Sequence, residues 1–252
     1  MYDDLARSPL PVTALTRALS PEGWELEVVP QAESTQALVR ERAQDPRRLV
    51  VVAEEQTAGR GRLDRSWVSP PRAGLTFSVL IRPDQPRQEW GWVPLLAGLA
   101  VARAIREQTE LDAVLKWPND VLIGERKVCG ILAELTGDAI VLGIGLNVTT
   151  RTDELPHPGA TSLAIAGAEM TDRATLLKAV LRELAAVLEG RPFPSYREWC
   201  STLGREVRVD LPGGMSVSGP AESVDELGRL VVDGQPYAAG DVVHLRSVGE
   251  GG

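Results

Sequence analysis

The length, composition and charge of the chain exclude several classes of protein. Its 252 residues are 43% hydrophobic and 25% charged, which is ordinary for a folded protein with one large domain or one domain and an appendage. The net charge of -8 argues against general affinity for nucleic acids or anionic membranes. No apolar run approaches the roughly 20 residues of a membrane span, and the acidic start Met1-Tyr2-Asp3-Asp4 does not resemble a signal peptide. We therefore expect a cytoplasmic protein.

The cysteines and histidines are too few to suggest their usual chemistry. Cys129 and Cys200 cannot form a disulfide framework or a thiolate metal site, and no histidine is near Cys129 in sequence. His157 lies in a proline-rich loop, and His244 lies in an alternating strand pattern. Catalysis driven by histidine or cysteine is therefore not expected.

Hydrophobic periodicity and capping residues predict the elements of the first half. We expect a short helix over 12–19, a strand over 24–29, a helix from its N-cap Ser34 to about Gln44, and a buried strand over 49–53 that leads into a loop rich in glycine and arginine. A strand over 74–82 and a long apolar helix over 90–108 follow. Four successive strands are predicted over 113–116, 120–123, 127–135 and 139–148, with a hairpin turn over 124–126.

The second half is predicted to begin with a helix and to end in short strands. Thr171 or Asp172 caps a helix that runs to Glu189 and stops at Gly190, and a shorter helix covers 196–203. Strands are expected over 206–211, 215–224, 229–233 and 241–246, divided by 212–214 and 234–236, and they would form a small β-barrel. A flexible tail is expected over 249–252. The order is not a repeating β-α-β pattern, so we predict an α+β fold with a domain over 1–203 and a second over 204–252.

The segment from Gly59 to Trp67 gathers cations in an otherwise acidic chain. Arg60, Arg62 and Arg65 surround Gly59 and Gly61. Glycine lets backbone N–H groups approach an anion, and arginine offers a planar fork of donors to phosphate or carboxylate oxygens. The segment predicts a site for a small, multiply charged anion, and the alternative is a solvated, mobile basic loop.

A second cluster of polar residues follows two apolar strands. Lys116, Asn119 and Asp120 share one turn around Trp117-Pro118, and Lys127 begins a buried strand that includes Gly130. In the strand 141–148, Gly143 and Gly145 alternate with apolar residues, and Asn147 is the one polar side chain. Glycines at alternate positions are typical of close approach by a ligand or another backbone. Turn formation, core packing of Trp117 and glycine packing are the structural alternatives.

Together these motifs resemble the biotin protein ligase family. The resemblance rests on Glu33-Ser34-Thr35, Gln56 with Gly59-Arg60-Gly61-Arg62 and Trp67, Lys116-Trp117-Pro118-Asn119-Asp120, Lys127 with Gly130-Ile131-Leu132, and Gly143 through Asn147, in the order of the family. It implies a mixed-sheet catalytic domain like that of class II aminoacyl-tRNA synthetases and an SH3-like C-terminal β-barrel. It also implies a reaction in which biotin and ATP form biotinyl-5′-AMP, whose biotinyl group passes to a lysine of a biotin carboxyl carrier domain.

The resemblance also implies a role for each site residue. Lys127, Arg62 and Lys116 would be catalytic. Biotin would be bound by Ser34, Thr35, Gln36, Gln56, Gly59, Arg60, Gly61, Arg62, Lys127 and Gly130. ATP would be bound by Arg62, Arg65, Trp67, Lys116, Asn119, Asp120 and Asn147, with Trp67 stacked on adenine and Asn119 or Asp120 helping to seat Mg²⁺. The family often has asparagine at the position of Gln36 and glycine at that of Asp64.

Alternatives to a monofunctional biotin ligase remain at this point. A lipoate or octanoate ligase of the same fold also activates a carboxylate, and a biotin sensor would keep the site without the chemistry. Only about 30 residues precede Glu33, and no basic recognition helix is visible, so DNA binding is not expected. A homodimer through the sheet is a further expectation from the family.

Overall fold

The computed structural model describes residues 7–45, 48–62, 65–211 and 213–245, which form five α-helices, two short 3-10 helices (Ser20–Glu22 and Arg87–Glu89) and fourteen strands. The helices are α1 (Val12–Leu19), α2 (Thr35–Glu41), α3 (Trp92–Thr109), α4 (Arg173–Gly190) and α5 (Phe193–Trp199). The strands of the first half are β1 (Trp24–Val29), β2 (Arg48–Ala53), β3 (Gln56–Arg60), β4 (Ser66–Ser69), β5 (Gly74–Ile81), β6 (Ala113–Lys116), β7 (Asp120–Ile123), β8 (Arg126–Thr136) and β9 (Ala139–Asn147). The remaining strands are β10 (Glu206–Asp210), β11 (Ser216–Val224), β12 (Leu230–Val232), β13 (Gln235–Tyr237) and β14 (Asp241–His244).

A seven-stranded mixed sheet carries the fold. Its order is β1-β2-β5-β9-β8-β7-β6, with β1 and β2 parallel and every other pair antiparallel. The apolar residues of α3 and α4 belong to one large buried cluster with side chains from β5 and β9, such as Phe77 and Ile144. A smaller cluster contains Val39 of α2 together with Val51 and Val141 of the sheet. The predicted α+β class is confirmed.

A second, five-stranded sheet follows α5 and is joined to the edge of the first. Its order is β13-β12-β11-β10-β14. The connecting segment runs beside β6, where the Ser201 N–H and hydroxyl both donate to the Leu115 carbonyl at 2.8 Å. The indole of Trp117 donates to the Gly228 carbonyl at 3.0 Å, so this tryptophan is buried core between the two sheets. The second sheet is thereby held against the turn that carries Lys116.

Two helices differ in extent from the sequence prediction. Helix α2 ends at Glu41 rather than near Gln44, since the next residue, Arg42, has φ of -106° and ψ of 20° and so leaves the helical conformation; its side chain pairs with Glu27 of β1. Helix α5 covers Phe193–Trp199 rather than 196–203, because the residues after it bond to the edge of β6.

The predicted caps are correct in part. The Asp172 carboxylate caps α4 by accepting from the Thr175 N–H at 2.8 Å. Gly190 does not stop this helix, since it is the last helical residue and Arg191 takes the left-handed conformation with φ of 47°. Ser34 occupies the N-cap position of α2, but its side chain makes no capping hydrogen bond.

The predicted glycine-arginine loop and the C-terminal strands also differ from expectation. Residues on both sides of Arg62 form an antiparallel pair, β3 with β4, so the segment is a hairpin. Residues 235 and 236, predicted as a divider, belong to strand β13, because Gly234 supplies the left-handed turn that precedes it. In the described residues the five C-terminal strands form an open sheet with β13 and β14 at its edges and no closed barrel. Asp64 and the predicted 249–252 tail lie outside the described residues.

None of the helices found in the described ranges is long and apolar enough to span a membrane.

Candidate functional site

A cavity of about 1040 Å³ gathers almost all of the residues predicted for the site. Its walls come from the start of α2, the β3–β4 hairpin, the turn between β6 and β7, strands β8 and β9, and strand β14. The predicted residues that line it are Ser34, Thr35, Gln36, Gln56, Arg60, Gly61, Arg62, Arg65, Trp67, Lys116, Asn119, Asp120, Lys127, Gly130 and Asn147. Segments far apart in sequence therefore form one site, as the motifs predict.

Gly59 is the predicted site residue that does not line the cavity. A Cβ at this position would lie 1.9 Å from Gln56 Nε2 and 2.5 Å from the Trp67 carbonyl oxygen. Its missing side chain lets the Gln56 amide cross the hairpin and donate to the Trp67 carbonyl at 3.2 Å. Gly59 acts on the site by shaping the hairpin rather than by contacting a ligand.

Buried polar groups at the start of α2 form one end of the cavity. Gln56 Oε1 accepts from the Thr35 backbone N–H at 2.9 Å, and the Thr35 hydroxyl lies 2.8 Å from the Ser78 hydroxyl. Gln36 Nε2 donates to the Leu132 carbonyl at 3.1 Å. A Cβ on Gly143 would lie 2.8 Å from Gln36 Cδ, so this glycine makes room for the glutamine. The hydroxyl and amide groups in this region are largely shielded from water. The region can therefore bind an uncharged polar ligand.

Lys127 and Asp120 form an ion pair in the wall of the cavity. Lys127 Nζ lies 2.6 Å from Asp120 Oδ1, and the two side chains are only 23% and 20% exposed. The buried Oδ1 has no well-aligned hydrogen-bond donor in the described part of the chain. Lys127 Nζ also lies 5.6 Å from the centre of the Trp67 ring, within reach of a cation–π interaction. The ammonium group is half enclosed and can exchange Asp120 for a ligand anion.

The Trp67 ring rests on a floor made by two cross-strand glycines. Gly130 of β8 pairs with Gly145 of β9. A Cβ at Gly145 would lie 2.3 Å from Trp67 Cε2, and one at Gly130 would lie 3.0 Å from both Trp67 Cζ3 and Lys127 Nζ. The alternating glycines of β9 therefore serve close approach, and the group they admit is the Trp67 ring.

The turn between β6 and β7 connects the hairpin to the sheet. Arg62 Nη1 donates to Asn119 Oδ1 at 3.3 Å, and Asn119 Nδ2 donates to the Ile131 carbonyl at 2.8 Å. On β9, Asn147 Nδ2 donates to the Thr161 carbonyl at 3.0 Å and so holds the loop that follows. Asn119 and Asn147 thus orient the backbone of the site as well as lining it.

The arginines of the hairpin are partly neutralised within the protein. Burial lowers the pKa of Arg62, the neighbouring Arg65 acts in the same direction, and the carboxylates of Asp241 and Asp120 oppose both. Arg65 forms an ion pair with Asp241 of β14. The sequence predicted a site for a small anion among these guanidiniums, and Asp241 of the C-terminal sheet supplies one carboxylate there.

Several cavity residues have no clear signal in the sequence. Asp241 and His244 reach the cavity from β14, and Glu154 and His157 reach it from the loop after β9. Both histidines lie far from the recognised motifs, and only the packing of the second sheet and of the loop against the site brings them there.

Cys129 is fully buried and its burial raises its pKa, so it is a thiol and does not act as a nucleophile.

The loop after β9 is fastened to the N-terminal segment by an ion pair. Arg7 Nη1 and Nη2 donate to the two oxygens of Glu154 at 3.1 and 2.7 Å, and the side chains are 10% and 14% exposed. The Arg151 N–H also donates to this carboxylate, at 2.9 Å. Burial of Glu154 acts to raise its pKa, but these hydrogen bonds outweigh it, so the pKa is lowered.

We expect Glu154→Gln to lower the free energy of unfolding by about 1 to 2 kcal/mol at pH 7, because hydrogen bonds to charged groups contribute about that much. A carboxylate whose pKa is lowered by folding stabilises the protein above its unfolded pKa of about 4.3, and this contribution is lost as the pH falls through the folded pKa. Urea unfolding at pH 7 and below pH 4 measures the change. The difference between the variant and the unmodified protein should shrink in acid, and a constant difference would contradict the assignment. Glu107→Gln, in an exposed pair with Arg182, is the matched control.

Comparisons with known proteins agree with the geometry. Residues 28–150 match the model of the biotin/lipoate A/B protein ligase family. The chain is 43% identical to a biotin--[acetyl-CoA-carboxylase] ligase of Mycobacterium tuberculosis over 96% of its own length and 98% of that protein.

Solved structures give the same result. A biotin protein ligase from Aquifex aeolicus in complex with biotin and ATP is 33% identical, has a TM-score of 0.75, and is matched over 88% of this chain and 99% of that one. A biotin protein ligase from Leishmania major in complex with biotinyl-5-AMP is 26% identical, with a TM-score of 0.64 and the same coverage. The chain therefore belongs to the biotin protein ligase family.

Proposed function

We propose that this chain uses ATP to activate biotin as biotinyl-5′-AMP and then transfers the biotinyl group to a lysine of a biotin carboxyl carrier domain. The observation that carries the proposal is the half-enclosed ammonium group of Lys127, which faces a cavity shared with Arg62, Arg65 and Lys116. With Arg60, five cations line this cavity, which suits a reaction in which a carboxylate and a polyphosphate must be brought together. In support, one relative named above is a biotin--[acetyl-CoA-carboxylase] ligase and another is a biotin protein ligase in complex with biotin and ATP.

In the first step, a biotin carboxylate oxygen attacks the α-phosphorus of ATP, and the bond to the β-phosphate bridging oxygen breaks to release pyrophosphate. Two anions repel each other as they approach, so the protein must neutralise both. Lys127 would leave Asp120 and bind the carboxylate, and Arg62 and Lys116 would bind phosphate oxygens. Catalysis then comes from positioning and charge stabilisation, and no covalent bond to the protein is required.

The biotin head group would bind at the end of the cavity formed by the start of α2. Ser34, Thr35, Gln36 and Gln56 offer hydroxyl and amide groups there, and Thr35 and Gln56 are already oriented by their mutual hydrogen bond. Arg60 and Gly61 of the hairpin would close over the aliphatic tail. Gly130 would leave room beside Lys127 for the carboxylate.

ATP would occupy the opposite end, near the hairpin and β14. Trp67 would stack on adenine, and Arg65, Asn119 and Asn147 would surround the nucleotide. The described residues contain no group of three carboxylate, imidazole or thiolate side chains that could hold a metal ion. Magnesium is commonly held by one or two carboxylates together with substrate phosphates, so the donor set of Asp120 and ATP suits it. Bound in that way, Mg²⁺ would neutralise phosphate charge.

In the second step, the neutral amine of the acceptor lysine attacks the acyl carbon of biotinyl-5′-AMP, and the bond to the phosphate oxygen breaks to release AMP. The product is an amide on the carrier domain. Since the mixed anhydride reacts readily with water, the cavity must be closed while the intermediate waits for its acceptor. The β3–β4 hairpin, which forms one wall and is tied to β14 by Arg65, is the element suited to this closure.

The test is the intact mass of a purified carrier domain after incubation with this protein, biotin and MgATP. We expect a gain of one biotinyl group that depends on ATP. A parallel incubation with lipoate separates the closest alternative, a lipoate ligase, because only one of the two acids should be transferred. The proposal would be contradicted if this protein failed to modify a carrier domain that another biotin ligase does modify.

Three broader predictions accompany this function. We propose that 1–203 form the catalytic domain and 204–252 a separate SH3-like domain whose edge strand β14 completes the cavity. The protein is expected to act in the cytoplasm, where carboxylase carrier domains are made. We also expect the protein to form a homodimer and to have no affinity for DNA.

A further inference from the structure

His244 of strand β14 connects the C-terminal sheet to the catalytic turn. It is half-buried, lines the cavity and uses both ring nitrogens. Arg205 Nη1 lies 3.3 Å from His244 Nδ1, and the Thr202 hydroxyl lies 3.1 Å from His244 Nε2. Thr202 is fully buried in the segment that borders β6. The imidazole therefore bridges the second sheet and this segment.

The partners of the ring determine its protonation. A guanidinium group can only donate, so Nδ1 must accept from Arg205 and carry no proton. The proton of the neutral ring is then on Nε2, which donates to the Thr202 hydroxyl oxygen. Burial lowers the pKa of His244 to about 4, Lys116 and Arg205 act in the same direction, and Glu125 opposes them. The ring is neutral at physiological pH and serves as a fixed hydrogen-bond relay.

Thr202 passes this orientation to the site. Its hydroxyl oxygen also accepts from the backbone N–H of Trp117 at 3.0 Å, and Trp117 directly follows Lys116. Strand β6 ends at Lys116, whose side chain lines the cavity. Fixing the Trp117 N–H fixes the last peptide of β6, and with it the direction in which the Lys116 side chain leaves the strand.

We propose that His244 is a positioning residue for Lys116, acting through Thr202, and that the C-terminal sheet supports ATP binding by this route. The inference rests on the proposed role of Lys116 in binding phosphate. It does not make His244 a proton donor or acceptor in the reaction. It gives the second sheet a defined contribution to the first chemical step.

The test compares three substitutions at position 244 by ATP-dependent pyrophosphate exchange. His244→Leu removes both hydrogen bonds, and His244→Asn keeps an acceptor near Arg205 but is too short to reach Thr202. Both should raise the KM for ATP by up to about tenfold, the effect of one lost hydrogen bond. His244→Gln, which can still donate to Thr202, should restore a KM close to that of the unmodified protein. The KM for biotin should stay unchanged in all three.

A double-variant cycle separates positioning from a general loss of structure. In a Lys116→Ala background, His244→Leu should have no further effect on the KM for ATP. The inference would be overturned if His244→Leu had equal effects on the KM for ATP in both backgrounds. It would also be overturned if His244→Leu and His244→Asn had no effect while Lys116→Ala raised the KM. Neither outcome would contradict the proposed function. An unchanged KM in Lys116→Ala itself would instead show that the proposed role of Lys116 is wrong, and the inference would fail with it. Arg208→Ala, on the exposed side of β10, is the control and should change neither KM.

Discussion

Lys127→Ala is expected to lower the rate of biotinyl-5′-AMP formation by about 10²- to 10³-fold, the usual effect of removing one group that stabilises developing charge. The ammonium group lines the cavity and is paired there with Asp120, whose carboxylate marks the position that a ligand carboxylate would take. Without it, the biotin carboxylate would approach the α-phosphate with its own charge unneutralised. Pyrophosphate exchange at saturating biotin and ATP measures the loss.

Two further variants make the Lys127 result specific. Lys178→Ala removes an exposed lysine of α4 and should leave the rate unchanged. Removing Lys127 also leaves the Asp120 carboxylate without its partner, which is expected to destabilise the fold. The double variant Lys127→Ala with Asp120→Asn removes that charge and should recover stability but not activity. Recovery of adenylation together with stability would contradict the assigned role of Lys127.

Gly145→Ala is expected to weaken ATP binding by about 10- to 100-fold through Trp67. The new Cβ would lie 2.3 Å from Trp67 Cε2, so the ring would have to move. It cannot settle toward β8, because the Lys127 side chain already lies above Gly130, with Nζ 3.0 Å from where a Cβ would be. The ring would therefore move into the cavity and lose its stacking position, and base stacking on an aromatic side chain contributes about 1 to 3 kcal/mol. The KM for ATP in pyrophosphate exchange is the measurement.

The controls for Gly145→Ala test the cause as well as the effect. Gly190→Ala adds a methyl group at a position where no atom lies within 4 Å apart from the adjoining residues and the backbone of α4 itself, and it should not change the KM for ATP. In a Trp67→Ala background, Gly145→Ala should have little further effect, since the displaced ring is gone. A full additional loss in that background would show that the methyl group obstructs the ligand directly and that the Trp67 explanation is wrong.

The local order of the chain could be predicted well from the sequence, because the signals for elements are themselves local. Alternating apolar residues indicated the strands of the large sheet, and Asp172 indicated the start of α4. The two errors in helix extent occurred where the chain makes a distant contact. Arg42, directly after α2, has left the helical conformation and its side chain pairs with Glu27 of β1, and the residues after α5 border β6. No pattern within either segment contains that information.

The sequence by itself indicated the family, which the comparisons confirm, and all but one of its predicted site residues line the cavity, because the motifs that supply the cations, amides and glycines are contiguous and specific. Only the tertiary structure decided how those groups are paired in the folded chain. It pairs Lys127 with Asp120 and Arg65 with Asp241, and it rests the Trp67 ring on Gly145. It also brings His244 to the cavity from a strand with no motif of its own. These pairings join residues from separate strands and from two sheets, and the packing of those sheets against each other sets the distances between them.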